Sequence, residues 1–90
     1  MRNYYDPSAN ELKLATIGRR LMDISANTPM KGLTNEEIGR TNRMASFGDA
    51  LTRIGTLFGP KDIKELLRVS GVSSEEATEF LTLGKIGQDV

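Results

Sequence analysis

The sequence predicts an all-α fold: a long antiparallel helical hairpin followed by a short two-helix unit, in one small domain. Three observations predict it. Apolar residues recur at three- and four-residue steps, the helical period. At three places a serine or threonine stands three residues before a glutamate, just ahead of such a run, as in a helix-capping box. No stretch alternates apolar and polar residues as a half-buried strand does.

The elements follow in order. Residues 1–7 read as an extended arm, because Pro7 pushes Asp6 away from helix. Ser8 and Glu11 open helix one, about residues 8–27. Pro29 and Gly32 mark the loop from Thr28 to Leu33. Thr34 and Glu37 open helix two, about residues 34–58. Ile38 falls off its apolar face and Arg40 falls on it, which leaves a kink or restart open between Gly39 and Asn42. Gly59 ends that helix, and Pro60 suits the first position of helix three, residues 60–70. Ile63, Leu66 and Leu67 give helix three one apolar side. Gly71 fits the left-handed position after a helix. Ser73 and Glu76 open helix four, residues 74–83, where Ala77, Phe80 and Leu81 face one way and Gly84 closes it. The helical domain therefore spans residues 8–84, and residues 85–90 read as a tail. The short first loop makes helices one and two antiparallel neighbours.

Both long helices carry a double stripe. In helix one, Leu14, Ile17, Leu21 and Ile24 form a bulky line, and Ala15, Gly18, Met22 and Ser25 a thinner one beside it. In helix two, the bulky line is Met44, Phe47, Leu51, Ile54 and Phe58, and the thin line is Ala45, Gly48, Thr52, Gly55 and Gly59. One residue is about 100° of rotation, so the two lines lie on adjacent faces. Each interior glycine costs a helix roughly 1 kcal/mol relative to alanine, so a close neighbour must offset it. That neighbour is either the other helix of the same chain or another subunit; the remaining alternative is that the helix is broken at these glycines. On the second reading Ala45, Gly48, Thr52, Gly55 and Gly59 form an oligomer interface. Tyr4 and Tyr5, the only tyrosines, either dock on the chain's own core or let the arm anchor a neighbour.

Most chemistry fails on composition. The chain has no cysteine and no histidine, which removes thiolate nucleophiles, the usual general base and the commonest zinc ligands. No catalytic dyad emerges, and the expectation is a protein that is not an enzyme, with no cofactor and no metal. Glu75 and Glu79 stand four apart but lack a third ligand. The stretch Gly55 to Asp62 resembles a phosphate loop only superficially, because its spacing is wrong and no strand precedes it. Twelve basic and twelve acidic residues cancel, against a dedicated nucleic-acid or anionic-membrane surface.

Two features keep a nucleic acid open as an alternative partner. Helices three and four, joined through Gly71, have the outline of a helix-turn-helix. The would-be reading helix offers Glu75, Glu76 and Glu79, however, and no side chain suited to base edges. Basic residues gather instead at Arg19, Arg20, Arg40 and Arg43. If the hairpin register brings them together, they form a patch for a nucleic-acid backbone, an acidic partner or a phosphate-bearing small ligand. The bland alternative is a solvated face with local pairs, Arg19 with Asp23 and Asp49 with Arg53.

No membrane span is expected, and the N-terminus lacks the apolar core of a signal peptide. The expected location is intracellular, in the cytoplasm or within a virion. The leading expectation is a non-enzymatic interaction or assembly component. It is homo-oligomeric or part of a larger assembly, in the manner of a small phage or viral structural or accessory protein. The rivals are a nucleic-acid-associated regulator using the arginine cluster, and a binder of a phosphate-bearing ligand between helices of an oligomer.

Overall fold

The computed structural model describes residues 9–86, and the side chains of residues 13–85. Four helices follow one another: α1 (Ala9–Ala26), α2 (Asn35–Thr52), α3 (Ile63–Ser70) and α4 (Ser74–Ile86). No strand occurs among the described residues. The hairpin of α1 and α2 is the main body. The two-helix unit folds back on it, α3 against α2 and α4 against α1. The Ser8–Glu11 cap, Tyr4, Tyr5 and the last four residues lie outside the described part.

The bulky lines make the core. Ile17 and Leu21 of α1, Phe47 and Leu51 of α2, Leu66 of α3 and Phe80 of α4 are all buried, and Leu14 and Ile24 flank them. The rings of Phe47 and Phe80 sit 5.8 Å apart at a 45° tilt, which ties α4 to the hairpin.

The thin lines meet each other. A β-carbon on Gly18 would stand 2.5 Å from the carbonyl oxygen of Gly48, and one on Gly48 would stand 2.6 Å from that of Gly18. The two backbones approach so closely that neither side tolerates a methyl group without moving. Seven residues further along α1, and seven back along α2, the Ser25 hydroxyl donates to the Thr41 carbonyl at 3.0 Å. These two contacts fix one antiparallel register.

Thr34 and Glu37 form both bonds of their capping box, and α2 runs unbroken through Gly39 to Asn42. A β-carbon on Gly39 would meet only Nη1 of Arg43, at 3.3 Å, the far end of a flexible side chain. Gly39→Ala is therefore expected to raise stability by up to about 1 kcal/mol, read as a higher melting temperature. A fall would show that the Arg43 side chain cannot move aside.

Three boundaries differ from the sequence reading. Helix two stops at Thr52, not near Phe58. Its last amides shorten their reach, Arg53 N–H to Ala50 and Ile54 N–H to Leu51, and the chain then turns at Gly55 with φ +77°. Gly55 and Gly59 are therefore not on a helical face, and Phe58 is not in the core. Helix three starts at Ile63, not Pro60, because Asp62 supplies the cap and its Oδ1 accepts the Glu65 amide at 2.8 Å. Helix four continues through Gly84 to Ile86. Gly84 lies within it as a contact point, since a β-carbon there would stand 2.5 Å from Cγ2 of Ile17.

Candidate functional site

Of the residues assigned to an oligomer interface, Gly48 is buried against Gly18 and Thr52 packs beside that same glycine, all within one chain. Gly48 is thus unavailable to a neighbouring subunit. Ala45 is half-buried on α2, and Gly55 and Gly59 belong to the turns beyond it.

The register sets Gly18 opposite Gly48 and Ser25 opposite Thr41, so Arg19 and Arg20 lie level with residues 46–47 of α2, about one helical turn from Arg43 and two from Arg40. Arg19 reaches to Thr16 Oγ1 at 3.5 Å. Arg40 and Arg43 turn to α4 instead. Arg43 grips Glu76 with two bonds, Nε to Oε1 at 2.6 Å and Nη2 to Oε2 at 3.1 Å. Arg40 contacts Glu79 at 3.4 Å and lies over the Phe80 ring, 5.2 Å from its centroid. The glutamates that spoil α4 as a DNA-reading helix are the partners that neutralise these arginines. Asp49 and Arg53 form their expected pair at 2.7 Å.

The Arg43 guanidinium holds the Glu76 carboxyl below its ordinary value near 4.5, chiefly by hydrogen bonding and secondarily by charge. A carboxylate depressed in the folded state contributes stability above its unfolded value and loses it as pH falls through the folded one. The docking of α4 is therefore expected to weaken below about pH 4.5. Glu76→Gln should flatten that acid-side loss in melting curves taken from neutral pH downward; an unchanged slope would remove Glu76 as its source.

The feature that the sequence reading missed lies between α2 and α3. Residues 53–61 fold into consecutive turns closed by their own hydrogen bonds. The Gly55 amide donates to the Pro60 carbonyl at 2.8 Å, and the Thr56 amide to the Arg53 carbonyl at 3.0 Å. The Lys61 ammonium donates to the carbonyls of Thr56 and Leu57, at 2.7 and 3.0 Å. Gly59 packs directly on the Arg53 backbone, where no side chain fits. On this locked frame Leu57 is 64% and Phe58 86% exposed. Burying a side chain of this size is worth about 1.5–3 kcal/mol, which the folded monomer forgoes here. One signal was present in the sequence: two glycines and a proline bracket two large apolar residues.

A second surface feature is a groove of about 360 Å³ between α2 and α4, lined by Arg40, Thr78, Glu79, Thr82 and Leu83. The depression on α3, lined by Asp62, Lys64, Glu65 and Arg68, balances two acids with two bases. Among the described residues no cluster of three potential metal ligands occurs, and no helix is long and apolar enough to cross a membrane.

Comparison with protein-family models, with curated proteins and with solved structures returned no match to this chain.

Proposed function

We propose that this chain is a non-enzymatic protein–protein interaction module, and that the loop of residues 53–61 is its contact surface. The observation that carries this reading is the pair Leu57 and Phe58, held out by a frame of internal hydrogen bonds. Aromatic side chains on a rigid support lose little conformational freedom on docking, which is why they anchor interfaces. The four-helix body acts as the support. The paired arginines give a nucleic-acid reading no free cluster to use.

The test is site-specific photocrosslinking in the native host. A photoreactive phenylalanine analogue at position 58 is expected to form adducts with protein, while the same group at exposed Glu36 forms none of the same mass. Absence of any position-58 protein adduct would sink the reading.

A further inference from the structure

We infer that the partner of this loop is a second copy of the chain: Leu57 and Phe58 of one molecule dock in the α2–α4 groove of the next. The inference rests on the reading of the loop as a contact surface. Three observations support it. The groove, about 360 Å³ with Leu83 and the two threonines in its wall, has room for a phenyl ring. Its rim carries the Arg40 guanidinium, which already lies over one aromatic ring and has a second face for another. The charges are complementary. Lys61, beneath the knob, has no carboxylate partner among the described residues, and exposed Glu75, one turn before Glu79 on α4 beside the groove, has no cationic one, whereas Glu79 is taken by Arg40.

The molecule cannot satisfy this contact itself. Arg40 lies twelve residues before Thr52, the end of α2, or about 18 Å along the helix axis. The knob leaves from one end of α2 and the groove opens near the other. Knob and groove are different patches, so two copies either exchange knobs reciprocally and close as a pair or join head-to-tail and extend until a larger ring closes. The area of two side chains is far below the ~800 Å² per partner of a stable complex, so a single contact is weak.

The test is sedimentation of the full chain at rising concentration, with two substitutions at exposed positions, Phe58→Asp for the knob and Thr82→Arg for the groove. Circular dichroism confirms that both fold. The wild type is expected to reach at least twice its 9.9 kDa mass. Each variant alone should stay a monomer, its association weakened at least about tenfold. An equimolar mixture should stop at a pair, because one intact knob meets one intact groove and neither end can grow. A wild type that remains a monomer to about 1 mM, where even contacts worth ~4 kcal/mol are seen, overturns self-docking. So does a variant that assembles like wild type, or a mixture that stays monomeric. A monomer that still crosslinks to another protein at position 58 leaves the interaction reading standing with a different partner. A monomer with no protein adduct at that position removes both.

Discussion

Gly48→Ala is expected to lower the melting temperature, and Gly48→Leu to prevent folding at room temperature. The new β-carbon would stand 2.6 Å from the Gly18 carbonyl oxygen and 3.1 Å from side-chain atoms of Leu21 and Met22. A backbone carbonyl cannot rotate aside, so the two helices must separate. Overpacking of this kind costs about 1–3 kcal/mol, against a gain of about 1 kcal/mol from removing a glycine from a helix. For alanine the balance is a net loss of up to about 2 kcal/mol, equivalent to as much as roughly 16 °C in a domain of this size. Leucine adds three more carbons where there is no space. The effect appears in a dilute monomer, because the affected contact lies inside one chain. A melting temperature equal to or above wild type for Gly48→Ala would show that α1 and α2 do not meet at this point. The opposite sign expected at Gly39, a glycine of the same helix whose β-carbon would meet only the tip of the Arg43 side chain, makes the pair a control for helix propensity.

Phe80→Ala is expected to detach α4 and to remove about a quarter or more of the chain's stability. The ring is fully buried, touches Phe47, and carries Arg40 on its outer face. Truncating a buried phenylalanine costs about 3–5 kcal/mol, and a domain of ninety residues at the usual stability per residue has about 5–13 kcal/mol to lose. Hydrogen exchange should show α4 amides losing protection first, since α4 is held by Phe80, the Gly84–Ile17 contact and the glutamate pairs. Persistent protection throughout α4 would contradict this account of what anchors it.

The fold was legible where local chemistry decides it. Thr34 with Glu37, Ser73 with Glu76, and Gly71 with φ +70° each mark a helix end through a side chain or a backbone freedom that the residue type declares. The bulky lines named the core through Leu51 and Ile54 for the same reason. The misreadings share another cause. Phe58 continues the spacing of Leu51 and Ile54 although the helix has already ended, because periodicity counts residues and does not register that Gly55 has turned the backbone. Pro60 offers a helix start two residues before Asp62, the residue that caps α3. Gly84 has the residue type of a helix stop, yet it sits inside the last turn of α4 as a point of close approach, a role that only the neighbouring Ile17 reveals. The thin lines posed the same problem in stronger form. Their glycines announce a close neighbour, but which neighbour depends on the hairpin register set by Ser25 and Thr41. The exposed knob was hidden by the opposite assumption, that a phenylalanine at helical spacing is inside.

The return of α4 onto α1 also bears on the order in which the chain is made. Gly84 rests against Ile17, so the earliest made of these four helices is covered in part by the latest. The hairpin can pair as soon as residue 52 has emerged, because its contacts are between successive helices. The Phe47 ring then stays uncovered on the Phe80 side until synthesis has passed α4. For that interval a nascent chain carries an open apolar face, the condition under which growing polypeptides meet chaperones or one another.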